Sequence, residues 1–216
     1  MSETQKGYKL HIELLDTEYP NTRDIEVSFV NSVDELHQMI QQLYGLKNCH
    51  LWYLSDHPTQ SKWEVRPKGY TDEIEEDKKL TAKMNDYVFV QPQKIVKAEN
   101  TLLAQFISKE HKTVYYTYDI GEMNQWKIIY KGLTKVPLRH NLCIAYTWTY
   151  VLEDCPVREL DEYKRIYETR DRKFLKKEWD WFLSRQDFKD YMEPVYEDIS
   201  CEILEEKMNA IKMTAL

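Results

Sequence analysis

The sequence predicts a mixed α+β protein: a mainly antiparallel, curved sheet covered by one helix, with a helical C-terminal extension. Three observations predict it. Tyr8, Leu10, Ile12 and Leu14 alternate with Lys9, His11 and Glu13, the two-residue period of a strand buried on one face. Segments 112–119 and 125–130, rich in β-branched and aromatic residues, flank Ile120-Gly121-Glu122-Met123-Asn124, which reads as a hairpin with its glycine at the turn. Beyond Pro156 the apolar residues switch to helical spacing on a heavily charged background.

The elements follow in order. After the first strand, Pro20-Asn21 marks a turn, and residues 25–30 place Ile25, Val27 and Phe29 on one face of a second strand that closes a hairpin with the first. Ser32 or Asp34 caps a helix over 33–44, with Leu36, Met39, Ile40 and Leu43 at helical spacing and Gly45 as its stop; this helix lies on the sheet. Residues 51–54 and 61–65 read as strands joined by a loop that carries His57-Pro58, and 72–77 as an acidic loop. Pro92 makes 87–96 an edge strand or two short ones. A short helix over 101–107, the hairpin and a further apolar strand over 142–152 complete a first domain, 1–156. Helices over 160–177, 177–185 and, after Pro194, 195–212 form the extension 157–216, packed on that domain or on a partner.

Composition excludes several functions. Hydrophobic residues at 42% and aromatics at 13% describe a packed globular chain. Five glycines, with no GxGxxG or Walker string, argue against a glycine-rich phosphate cradle. A net charge of −7 opposes coating nucleic acid or an anionic membrane through the overall field. No run approaches the ~18 apolar residues that span a bilayer, and the polar first eight residues lack a signal-peptide core, so a cytoplasmic location is expected. Cys49, Cys143, Cys155 and Cys201 form no CxxC pair and read as free buried thiols in a reducing compartment.

His37 and His50, with Asp119, are the constellation able to assemble a metal or acid/base site, since helix and strands would bring them to one sheet end. HxxxH and HExxH spacings are absent. The plainer reading makes His37 a solvent-facing helix residue, His50 a buried imidazole bonded to backbone, and Asp119 a turn-fixing carboxylate. No GxSxG is present, and His140 three residues before Cys143 is a weak pairing. Segment 163–177 is the basic patch: Lys164, Arg165, Arg170, Arg172, Lys173, Lys176 and Lys177 face only Glu168 and Asp171, while Tyr163, Ile166, Tyr167 and Phe174 fit an inward helix face. Trp179, Trp181, Phe182, Phe188, Tyr191 and Tyr196 read as packing residues, and Ile199, Ile203, Met208 and Ile211 as the apolar side of an amphipathic last helix.

Three stretches carry a resemblance to a known family. LHQMIQQLYGLKNCHLWYL, residues 36–54, resembles the helix, glycine stop and His-Leu-aromatic strand that open the plasmid pRiA4b ORF-3-like family. TLLAQFISKEHKTVYYTYDIGEMNQW, residues 101–126, is similar to its helix followed by Tyr-x-Tyr-Asp-Phe-Gly-Asp and Trp, with Tyr116, Tyr118, Asp119, Gly121 and Trp126 on the signature. Cys143 followed by Glu153-Asp154-Cys155, with Tyr163 beyond, resembles the family's third motif. The chain departs from the pattern at Ile120 (Phe), Glu122 (Asp), Tyr146 (Gly), Val151 and Leu152 (Pro), and Pro156-Val157 (a glycine pair), and Lys127-Ile128 stand where the family has a histidine after its Trp. The resemblance is to a divergent member; it implies the family's fold and no particular reaction.

The expected function is a non-enzymatic binding or adaptor protein of bacterial or mobile-element origin. Its expected partner is another protein, met through Asp119, Glu122 and Trp126 of the hairpin and through Arg172, Lys173 and Lys176 of the basic helix. The alternatives are nucleic-acid binding through helix 163–177, and metal-assisted hydrolysis using His37, His50 and Asp119. No cofactor is expected, and the oligomeric state stays open.

Overall fold

The computed structural model describes residues 3–67, 69, 92–99, 101–138, 140–169 and 192–211. An open sheet of eight strands organises them: β1 (Thr4–Leu14), β2 (Asn21–Ser28), β3 (Trp52–Ser55), β4 (Trp63–Arg66), β5 (Lys94–Lys97), β6 (Thr113–Tyr118), β7 (Asn124–Pro137) and β8 (Leu142–Tyr146). Their spatial order is β5-β4-β3-β6-β7-β1-β2-β8. Every pairing is antiparallel except β4 with β5. The α+β class and mainly antiparallel sheet read from the sequence are thus present.

Directly opposed residues share a face, so register shows how the core is assembled. Val65, Leu54, Tyr116, Trp126 and Leu14 form one row across β4, β3, β6, β7 and β1. All five are buried. Helix α1 (Val33–Tyr44) lies on this face through Leu36, Met39, Ile40, Leu43 and Tyr44. Its start follows the capping-box rule: the Glu35 N–H donates to the Ser32 hydroxyl while the Ser32 N–H donates to the Glu35 carboxylate. Its end is set by Gly45 at φ 73°, a left-handed conformation that glycine adopts without a Cβ clash. An added Cβ there would lie 2.8 Å from Tyr150 Cγ, so the glycine also permits close packing.

Several expected elements change shape. The 101–107 helix is a short 3-10 turn, Leu103–Gln105, tied to the start of α1 by Val33 N–H to Thr101 O and Leu103 N–H to Asn31 O. β7 runs on past Tyr130 to Pro137, beyond a bulge opposite Lys9 and Leu10. β8 stops at Tyr146, because the following segment turns to meet the buried Arg23 guanidinium, which donates to the carbonyls of Thr147 and Thr149. A bulge at Ile144 swings that side chain outward on the edge strand.

After Pro156, α2 (Val157–Thr169) covers a second, smaller cluster that includes Leu152, Cys155, Leu160, Tyr163 and Val195. A 3-10 turn at Glu193–Tyr196 leads to α3 (Cys201–Asn209), shorter than the expected 195–212 because Ser200 caps it. Leu204 and Met208 of α3 join the main core. The acidic loop 72–77, the first part of the 87–96 strand, the helix over 177–185, Arg170, Arg172, Lys173, Lys176 and Lys177, and the aromatic residues from Trp179 to Tyr191 lie outside the described residues. No helix among the described residues is long and apolar enough to cross a membrane.

Candidate metal centre

Three sharp changes of chain direction build the site. The first is the end of α1, where the Arg23 Nε–H donates to Leu43 O at 3.0 Å and the Leu46 N–H to Gln41 O, sending residues 46–51 back along the sheet. The second is the β6–β7 turn, where the Asp119 N–H donates to Leu51 O at 3.0 Å and the Asp119 carbonyl accepts from Glu122 and Met123. The third is the Glu153-Asp154 turn, held to α1 by Val151 N–H to Tyr44 O. Asn48, Asp119 and Asp154, one in each bend, have φ of 54°, 56° and 56°. Asn and Asp tolerate this region better than other side chains.

His50 stands where the bends meet. Its Nε2 lies 2.8 Å from Asp154 Oδ1, 3.4 Å from Glu153 Oε1 and 3.9 Å from Asp119 Oδ2. A single imidazole thus faces three carboxylates, and one Nε2–H reaches hydrogen-bond distance of Asp154 alone. Asp119 is 9% exposed, and its carboxylate has no hydrogen bond among the described residues. Asp154 lies on the outer side, its side chain 72% exposed. Ligand atoms of His50, Asp119 and Asp154 fall within 4.8 Å of one another, as do those of Cys49, His50 and Glu153.

Behind His50 the wall is fully hydrogen-bonded. Tyr118 donates its hydroxyl to Glu153 Oε1 at 2.9 Å and accepts the Cys49 and His50 N–H groups at 2.9 and 3.3 Å. Glu153 Oε2 accepts the Lys47 N–H at 2.5 Å. Burial, with the Glu153 carboxylate adding to it, holds the Tyr118 phenol far above its ordinary range, so it stays a donor. Partial desolvation, then the Glu153 and Asp154 charges, outweigh the Tyr118 bond and push the Cys49 thiol up as well. A protonated thiol beside carboxylates is a poor nucleophile.

His37 faces elsewhere. It is buried and stacked on Trp52 at 4.2 Å, with Nε2 2.8 Å from Asn48 Oδ1 and Nδ1 2.7 Å from the Tyr116 hydroxyl. Gln41 Nε2 donates to that hydroxyl, so the hydroxyl gives its one hydrogen to Nδ1 and the imidazole carries its own on Nε2. Burial lowers its pKa to about 4. His37 is therefore a neutral core residue, neither solvent-facing nor part of the cluster; its hydrogen-bond partner Asn48 lies two residues before His50.

The other sequence candidates separate. Glu122 lies in the β6–β7 turn, 3.7 Å from Arg158 NH2 at the start of α2. Trp126 is fully buried between Tyr44 and Tyr116, a core residue with no surface to offer a partner. Arg172, Lys173 and Lys176 lie outside the described residues. Glu153 and Asp154 were visible as a motif and not as site residues, since about a hundred positions separate them from His50; Cys49, expected to be a buried free thiol, is exposed because it lies in the bend before His50. The stretches that carried the resemblance supply His50, then Tyr118-Asp119, then Glu153-Asp154, and fold to one point.

Residues 6–192 match the family described as plasmid pRiA4b ORF-3-like protein. The chain belongs to that family. The pRiA4b ORF-3-like fold described above is similar to the crystal structure of a protein of unknown function from Methanosarcina mazei Go1, with a TM-score of 0.62 and 19% identity over 90% of this chain and 96% of that one. The likeness is one of fold. Among curated proteins, none matches this pRiA4b ORF-3-like chain.

Proposed function

We propose that this pRiA4b ORF-3-like protein binds a zinc-type divalent cation through His50, Asp119 and Asp154, and that the site supports metal-assisted hydrolysis. One observation carries the reading: the Asp119 side chain, 12% exposed and without a hydrogen bond among the described residues, lies 3.9 Å from His50 Nε2, which Asp154 engages at 2.8 Å. A carboxylate largely withdrawn from water and paired only at 3.9 Å is weakly compensated, and a cation among these donors would compensate it better. Zinc accepts imidazole nitrogen and carboxylate oxygen at about 2.0–2.2 Å in a tetrahedron, whose donors stand about 3.3 Å apart. The separations of 2.8 and 3.9 Å from Nε2 bracket that value. His50, Asp119 and Asp154 would supply the three protein ligands of a hydrolytic zinc, which when bound would bring the pKa of its water to about 7. Glu153, 3.4 Å from His50 Nε2 and fixed by Tyr118 and Lys47, would be the neighbouring carboxylate available as a general base if a metal were held there.

The adaptor reading has less support from the hairpin, where Trp126 is buried and Glu122 faces Arg158. Metal titration by calorimetry, with metal content by mass spectrometry, tests the proposal. Wild type is expected to bind one zinc per chain, and His50→Ala and Asp119→Asn to weaken binding at least tenfold, or about 1.4 kcal/mol. Asn keeps the left-handed backbone at 119, so the second variant removes charge without forcing the turn. Absence of uptake, or uptake indifferent to both substitutions, would sink the proposal.

A further inference from the structure

We propose that Cys143 of β8 and Cys201 of α3 form a reversible disulfide that pins the C-terminal helix to the sheet edge. The helix is already held in register with that strand. Glu205 Oε2 accepts the Cys143 N–H at 3.1 Å, Glu205 Oε1 lies 2.8 Å from His140 Nε2, and Asn209 exchanges two 2.8 Å hydrogen bonds with the backbone of Asn141. Cys201 stands four residues before Glu205, hence on the same helix face, and that face is turned to Cys143. Both cysteines line one groove beside His140 and Glu205, and their side chains interact across it. The other two thiols are placed differently: Cys49 is at the metal centre and Cys155 is buried in the second cluster.

The two sulfurs have unequal roles. Cys201 is half-buried and Cys143 buried, so an oxidant meets Cys201 first. Burial, then the Cys201 neighbour, pushes the Cys143 thiol up to about 12, which keeps it reduced until its partner reacts. With hydrogen peroxide as oxidant, the Cys201 sulfur attacks one oxygen, the O–O bond breaks, and Cys201 becomes a sulfenic acid with release of water. Cys143, held beside Cys201, then attacks the Cys201 sulfur as its proton passes to the departing hydroxide, which leaves as a second water; proximity offsets the weak nucleophilicity of its thiol. Two thiols and one peroxide give one disulfide and two waters. A dithiol such as dithiothreitol reverses the reaction by exchange.

The test is non-reducing peptide mapping of the full-length protein, treated under native conditions with hydrogen peroxide and then alkylated. The expected result is one intrachain cross-link joining the peptides that hold Cys143 and Cys201, lost on dithiothreitol treatment and in Cys201→Ser. The Cys49→Ser/Cys155→Ser double variant keeps it, and the oxidised wild type melts several degrees higher than the reduced. Full alkylation of Cys143 after oxidation, over-oxidised Cys201 without a bridge, or a cross-link to Cys49, Cys155 or a second chain would each overturn the proposal. The wild-type map decides the matter even if a variant fails to fold.

Discussion

His37 turns the core into a pH-dependent element. The unfolded chain takes up a proton at this imidazole near pH 6.5, whereas the folded protein, which must desolvate the charge and lose the Tyr116 hydrogen bond, resists until about pH 4. Its contribution is complete above pH 6.5 and is lost as pH falls from 6.5 towards 4, by about 1.4 kcal/mol per pH unit and about 2 kcal/mol at pH 5. Urea unfolding at pH 7 and pH 5 measures this, and His37→Gln is expected to flatten the difference between the two by that amount. An equal loss in the variant would assign the acid sensitivity to other groups. Arg23 makes a similar point about what a single residue can hide. In sequence it is an ordinary polar member of an alternating strand; in the fold it is buried, lies 4.5 Å from the centre of the Tyr44 ring, and ties the end of α1 to segment 147–149. Nothing local distinguishes a surface arginine from one that finds carbonyl partners 124 and 126 positions away.

Among the elements, α1 was the most legible, because cap, apolar spacing and glycine stop are all local signals that agree on 33–44. β7 was the least. Its outer half, from Lys131 to Lys135, shows no apolar alternation, since its own side chains there are exposed or half-buried even where it pairs with the buried Gly7 and Tyr8 of β1. Burial requires a covered face, and there the pattern had nothing to record. Gly45→Ala combines a left-handed backbone that costs a Cβ-bearing residue ~1–2 kcal/mol with a Cβ 2.8 Å from the Tyr150 ring. The expected loss exceeds 2 kcal/mol in chemical denaturation, a rough lower bound from backbone cost plus overpacking. Because the same turn launches residues 46–50, zinc affinity is expected to fall with stability. Gly45→Ala with unchanged stability would mean that the loop relaxes around Tyr150.

On the scale of the whole molecule, the candidate site comes from sheet order, which the sequence does not spell out. β3 lies beside β6, so His50 and Asp119 meet; the chain then completes β7 and β8 before segment 150–154 returns over the end of α1 to bring Asp154 to the same point. The His50–Asp119 half was legible as residue types, and the Asp154 half only as a motif without a place. The same return path leaves β8 as a sheet edge, and unpaired edges template association. Here α3 closes it: Glu205 and Asn209 receive the Cys143 and Asn141 N–H groups, and Asn209 also donates to the Asn141 carbonyl. Glu205→Ala/Asn209→Ala would leave the Cys143 N–H of β8 and the N–H and carbonyl of Asn141 just before it without these partners, at about 1–3 kcal/mol for each that stays buried. The double variant is therefore expected to lose stability and to self-associate through the freed edge, read as a concentration-dependent mass increase in light scattering. A monodisperse variant of unchanged mass and stability would show that the outward bulge at Ile144 protects the edge without the helix.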